Sequence, residues 1–426
     1  MSTEQRPGAA KQRTLVTPSL GEGAGGEGSP IPHGVRPANP LPRGGGRGEG
    51  SPVSAPTLRP GQHGFSIVEV MVGMLIGLLG ILVMFQMLQR WDQQKRTASS
   101  GSDAQVSGSI ALYSVERDMR MAGYGFGRAT NVMGCTVNAY DRLRPVTAFT
   151  FPLVPVLIAD GAGGAPDTVT VLYGNSNLAS ESITYTASAP TSKTLSTRSG
   201  VERGDLILIT QDATTCGLVE TTDNTNADGI TVNHASGNYT GQDNAAVTAR
   251  YNAAAGLGIV FTPGGIYNLG ADPRRNIWQI SNGRLLTSTD DLHYSDLRDS
   301  DGLGNPDNQN DWTEVAEGII DLQAEYGIRV AGVMQWSALA PPNWAAPQAW
   351  SSVSAIRIGL LARSQQYEKV AVTPTAPVWA GGAFTMTDLD GGADSNPDDP
   401  NDWRHYRYRV YQAMIPLRNA IWGTAP

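Results

Sequence analysis

Cysteine, catalytic motifs and basic charge are each scarce in this sequence, and proline is missing from one long stretch. Two cysteines, Cys135 and Cys216, stand among 426 residues, too few for a disulfide-stapled scaffold or, alone, a structural zinc site. If their part of the chain lies in an oxidising compartment, one disulfide between them is permitted; two unrelated buried thiols are the alternative. Seven of the 31 Lys/Arg and four of the 39 Asp/Glu fall in residues 1–64, leaving 24 against 35, a net −11, for residues 65–426. That balance offers no basic face for nucleic acid. There is no His-Glu-x-x-His, Gly-x-Ser-x-Gly or Walker sequence. His33 and His63 lie early, and His234, His293 and His405 are scattered, so no catalytic constellation emerges and an enzyme is not expected. No proline occurs between Phe65 and Ala122, which leaves room for one uninterrupted helix.

Residues 1–64 hold fourteen Gly and ten Pro with almost no apolar periodicity. Such a composition cannot bury a core and reads as disordered. From Val70 to Gln89 there follow twenty residues without a charge, enough for a helix to cross a hydrocarbon layer of about 30 Å. Glu69 stands at one end of that run. A carboxylate at membrane depth costs roughly 2.5–3.5 kcal/mol on insertion scales, so it calls for a partner. Gly73 and Gly77 form a Gly-x-x-x-Gly pair, followed by Gly80; close helix packing and the general frequency of glycine in membrane helices explain them equally well.

The stretch Gly64-Phe65-Ser66-Ile67-Val68-Glu69, heading a hydrophobic helix, resembles the class III signal of type IV prepilins and related pseudopilins. The resemblance implies cleavage by a prepilin peptidase after Gly64, methylation of the new amino-terminal Phe65, and an assembly role for Glu69, paired with the amino group of a neighbouring subunit. Glycine suits the cleavage position because the peptidase must take the chain closely. Family leaders are short and basic, whereas residues 1–64 are long; a start at Val53, giving a leader that carries Arg59 and His63, is the preferred explanation. Arg90, Lys95 and Arg96 flank the far side as heavily as Arg59 and His63 flank the near side, so charge does not set the topology. The resemblance does: residues before Phe65 cytoplasmic, residues after Arg90 periplasmic, in the inner membrane and then in the pilus at the cell surface. That compartment favours the Cys135–Cys216 bridge.

Beyond Trp91, apolar residues recur at helical spacing, with Val106, Ile110 and Tyr113, and Leu112, Val115 and Met119 beside them. One helix is therefore expected from Phe65 to about Ala122, apolar all round over 65–89 and amphipathic over 90–122, its second half packed on a sheet. Gly123, Gly125 and Gly127 end it. Glu116-Arg117-Asp118-Met119-Arg120-Met121-Ala122-Gly123-Tyr124 is similar to the end of this helix in minor pilins of the PilW family. Gly204 to Ile209, Val353 to Ser364 and Tyr408 to Asn419 resemble that family too. Residues 123–426 read as a β-rich head, with candidate strands at 168–173, 205–211, 259–262, 276–280, 319–330, 353–363 and 405–415. In 353–363, Val353, Ala355, Ile356 and Ile358 belong near the core. The expected fold is α+β, a long amino-terminal helix on a mostly antiparallel sheet.

The resemblance implies a minor pilin of the initiation or tip complex, with prepilin peptidase, other minor pilins, the major pilin, the assembly platform and a tip adhesin as partners. A pseudopilin of a type II secretion system is the runner-up. The rival from another class is a membrane-anchored, calcium-dependent binding protein, and it rests on two acidic stretches. Asp299, Asp301, Asp307 and Asp311 in one, and Asp388, Asp390, Asp398 and Asp402 in the other, share Asp-x-Asp-Gly, Asn-Pro-Asp and Asn-Asp-Trp in the same order. Clustered oxygen donors suit Ca²⁺. However, Leu303 and Gly392 occupy the fifth place and no glutamate closes either loop, so Asx-rich turns packed by tryptophan are the stronger reading. Otherwise no cofactor is expected. Arg203-Gly204-Asp205 spells an adhesion tripeptide, but its place before a strand makes a turn the better account.

Overall fold

A computed structural model describes residues 64–129, 131–144, 146–177, 182–211, 214–223, 229–262, 264–288, 292, 312–330, 332–340, 350, 352–390, 399 and 401–421. Contacts divide the chain into two units, residues 1–72 and 73–426. In the first, the described residues 64–72 are exposed and contain the start of helix α1, Ile67–Met121. Ser66 caps it: its Oγ accepts the Val68 N–H at 3.3 Å, and its carbonyl accepts the N–H groups of Glu69 and Val70. These are donors that the first turn would otherwise leave unpaired.

In the second unit the carboxyl-terminal half of α1 packs into a core lined by two sheets. A five-stranded sheet runs in the order Trp312–Glu317, Arg284–Ser288, Arg274–Ser281, Thr168–Tyr173, Val156–Ala159. A four-stranded sheet runs Val333–Ser337, Ile319–Val330, Val353–Arg363, Tyr408–Pro416. Every pairing in these two sheets is antiparallel. Val156, Val169, Val171, Trp278, Leu322, Tyr326, Ile356, Ile358, Leu360 and Ile415 bury their side chains against Ala104, Ala111, Val115 and Met119 of the helix. Val353 and Ala355 are buried as well.

Of the expected apolar positions in α1, Val115 and Met119 are fully buried in this core and Leu112 packs against it, while the other three face away. Val106, Ile110 and Tyr113 are 56, 48 and 68% exposed. The packed stripe joins Val115 and Met119 to the small residues Ala104, Gly108 and Ala111, which the periodicity did not single out. The reason is close approach. The Tyr411 ring lies against Gly108, where an added Cβ would come within 2.1 Å of a ring carbon, and its hydroxyl donates to the Gln105 carbonyl at 3.1 Å.

An eight-stranded sheet forms the rest of the unit, in the order Ala148–Pro152, Thr136–Tyr140, Thr215–Glu220, Leu206–Thr210, Gly265–Gly270, Ile183–Ala189, Ser192–Leu195, Thr231–Asn233. Leu206 and Leu208 are buried in one apolar cluster, and Ile207 and Ile209 in another. The alternation places these clusters on opposite faces. Its one parallel pairing joins Thr136–Tyr140 to Thr215–Glu220. The disulfide Cys135–Cys216, Cα–Cα 5.9 Å, lies at this junction, with both residues fully buried. Two expected strands shift. Residues 259–262 are not a strand, and the final strand begins at Tyr408 because Trp403–His405 form a 3-10 turn.

Candidate functional site

The helix start, expected to be processed and to drive assembly, is laid bare by its geometry. Gly64 has open space around its Cα, and Phe65 is 82% exposed. Glu69 occupies the third helical position, where a carboxylate favours the positive end of the helix dipole. Among the described residues its carboxylate has no hydrogen-bond or ion-pair partner. The apolar stretch Ile67–Asp92, 26 residues, is long enough to cross a membrane, and every residue in it is exposed. Burying one Leu, Ile, Met or Phe is worth about 1.5–3 kcal/mol, so a run of this length requires lipid or other helices around it.

The far end of α1 is tied down by contacts that sequence patterns do not reveal. Asp118 accepts hydrogen bonds from Asn276 Nδ2 at 2.6 Å, Trp278 Nε1 at 3.0 Å and the Tyr173 hydroxyl at 3.3 Å. Burial raises its pKa above the ordinary carboxylate value despite these donors. Glu116 and Arg120 pair one turn apart at 2.5 Å on the exposed side. Gly123 takes φ +78°, and its N–H donates to the Leu172 carbonyl at 2.9 Å. Asn419, near the carboxyl end, donates from Nδ2 to the Met121 and Ala122 carbonyls at 3.2 and 3.1 Å. Two of the unpaired carbonyls of the helix terminus are thereby satisfied. The stretches around 116–124 and 408–419 thus meet at one place.

Other candidates separate. Asp205 of the adhesion-like tripeptide is 7% exposed; its Oδ2 accepts from Glu202 N and Asn268 Nδ2, both at 2.8 Å, so it faces inward in a turn. His234 is buried beside Lys193 at 3.2 Å, and burial pushes its pKa down to about 3. His405 is buried against the Tyr367 ring, and His293 lies outside the described residues. Of the acidic stretches, Asp299, Asp301, Asp307, Asp311 and Asp398 fall outside the described residues. Asp388 and Asp402 are 5 and 0% exposed. Among the described residues no three His, Cys, Asp or Glu groups already stand together as a metal site.

Residues 59–85 match the family model described as the prokaryotic N-terminal methylation motif. The motif and the apolar helix define a type IV pilus pilin, processed by prepilin peptidase. Residues 286–419 match the model of Type IV Pilus-assembly protein W, so this part of the chain is similar to PilW proteins. Such pilins are structural proteins without enzymatic activity. Among solved structures, a type IV-like pilin from Thermus thermophilus is 13% identical, covering 76% of this chain and 97% of its own, with a TM-score of 0.27. No curated protein matches the sequence.

Proposed function

We propose that this pilin is a minor pilin that is cut after Gly64, methylated at the new amino group of Phe65, and then joins other minor pilins to prime type IV pilus assembly. The observation that carries the reading is the presence of a methylation motif and a PilW match in one chain. Residues 1–64 then lie on the cytoplasmic side and the β-rich part in the periplasm. Its partners are the prepilin peptidase, other minor pilins, the major pilin, the assembly platform and a tip adhesin.

The physics of Glu69 supports the assembly step. Cleavage creates a cationic amine four residues before it, at the edge of the apolar helix. In a hydrocarbon setting a carboxylate and an ammonium each carry a desolvation penalty that pairing offsets. Four residues apart on one helix start, the two are also drawn to a neighbouring subunit's complementary pair, which favours association of these helices over separate subunits in lipid. The exposed stripe Val106, Ile110 and Tyr113 extends the same argument into residues 104–119, because apolar surface not used by the head remains for neighbouring helices.

Glu69→Ala tests this directly. The variant is expected to be cleaved and methylated normally while being lost from sheared pili, with fewer pili per cell. Normal incorporation and piliation would reject the assembly role of Glu69.

A further inference from the structure

Where α1 first meets the head, a cavity of about 290 Å³ opens between the helix, at Gly101 and Ala104, and a wall that includes Thr373, Arg407 and Arg409. Both arginines are exposed. Arg407 gives its Nε–H to Glu368 Oε1 at 3.2 Å, and Arg409 has no ion-pair partner among the described residues. No carboxylate lines the cavity among the described residues. The segment 368–373 that forms part of the wall also exposes Lys369 and Val370, the latter by 74%.

The direction of the last strand fixes which end of the head this is. Tyr411 meets Gln105, and Asn419 meets Met121 and Ala122, so Tyr408–Pro416 runs the same way as α1 and starts at the end nearer the apolar run. The charge-free run ends at Gln89, and α1 continues without a break to Gly101, twelve residues further. That is about 18 Å of helix, of which the headgroup layer takes about 5–8 Å. Arg407 lies two residues before Arg409 and so about 6–7 Å nearer the bilayer. The remaining gap of a few ångströms is inside the screening length of about 8 Å, and an ordinary helix tilt of about 20° narrows it.

We propose that this cavity binds the phosphate of an anionic phospholipid headgroup in the leaflet from which α1 emerges. Guanidinium groups hold phosphate oxygens through paired N–H donors and keep their charge at any physiological pH. Gly101 and Ala104 present almost no side chain, so the headgroup can lie close against the helix. A zwitterionic lipid offers the same phosphate, but its ammonium would face two arginines, so the cavity selects the anionic kind. Lipid is favoured over free anion because the helix exit keeps the site beside a dense layer of headgroups. Lys369 and Val370 add a charge and a small apolar contact to the same rim. The contact holds the head against the bilayer while the helix is still in it, and withdrawal of the helix has to break it. The inference goes beyond the proposed function and needs the membrane run, not cleavage at Gly64.

Amide hydrogen exchange reads the site in the full-length protein, held in nanodiscs of phosphatidylcholine alone or mixed with phosphatidylglycerol. Exchange over residues 368–373 and 405–411 is expected to slow about threefold in the mixed discs, the factor for a site two-thirds filled. Raised salt should shrink that difference. Arg409→Gln should abolish it and Arg409→Lys should keep most of it, with exchange in the core strand Val353–Arg363 unchanged in both. Equal exchange in the two lipids overturns the proposal. So does a difference that ignores salt, or one that persists in Arg409→Gln and therefore comes from general charge attraction. Equal slowing by inorganic phosphate in phosphatidylcholine discs would assign the cavity to a free anion and overturn the lipid assignment. A chain left uncut at Gly64 would defeat the pilin reading and leave this result standing.

Discussion

Asp118 shows how one side chain can join a helix to a sheet. Its carboxylate takes three side-chain donors from two adjacent strands, Thr168–Tyr173 and Arg274–Ser281. Replacing it by alanine leaves the Trp278 N–H without this acceptor and the Asn276 amide with only the Tyr173 hydroxyl, at 3.2 Å. A buried group left so costs about 1–3 kcal/mol, and Asp118→Ala is expected to lower unfolding stability by an amount in that range. Chemical denaturation of the detergent-held protein checks this, and a loss under about 0.5 kcal/mol, typical of a surface change, would remove Asp118 as an anchor. Asp118 was legible only as part of a family-like string. Its partners lie more than fifty residues away, and nothing in local spacing announces them.

Within α1 the two faces have separate uses, and each can be perturbed alone. Gly108→Val puts a branched side chain where the Tyr411 ring now rests. Overpacking of this kind costs about 1–3 kcal/mol, and the melting temperature should fall accordingly. Tyr113→Ser on the open face should change stability by no more than about 0.5 kcal/mol yet reduce recovery in sheared pili. A Tyr113→Ser protein that melts early would place that ring in the head's own core instead. That Val115 and Met119 were legible as core while Ala104, Gly108 and Ala111 were not has a simple cause. Periodicity weights large apolar residues, whereas the tightest helix–sheet approach here is made with alanine and glycine. Among the strands, Ile319–Val330 and Val353–Arg363 were readable at their true limits because both are long and one face of each is continuously apolar. Ser192–Leu195 and Thr231–Asn233 were not, being three or four residues with mixed exposure. Residues 259–262 had the composition of a strand but take no ladder partner.

Across the whole molecule, buried carboxylates give the head an uncommon pH response. Burial lifts Asp167 to about 6, with the like charge of Asp160 adding to it and the N–H groups of Gly161 and Ala324 opposing it. Burial likewise lifts Asp321 to about 6, opposed by Gln323. Both lie above the value near 3.8 that the unfolded chain would show, so the folded state binds more protons between those limits. Their stabilising contribution is therefore full below about pH 4 and is lost as pH rises through about 6. Melting temperature followed from pH 4 to 8 should show this decline, and Asp321→Asn should flatten it; an unchanged slope in that variant would exclude Asp321 as a source. The processing signal was plain in the sequence because a prepilin start is local, a glycine, a phenylalanine and a glutamate at fixed offsets before an apolar run. The central claim is that this start is used. Mass spectrometry of the amino terminus, on protein from membranes or sheared pili of cells with active prepilin peptidase, measures it directly. The account predicts N-methylphenylalanine followed by Ser-Ile-Val-Glu; a chain still carrying residues upstream of Gly64 would contradict it.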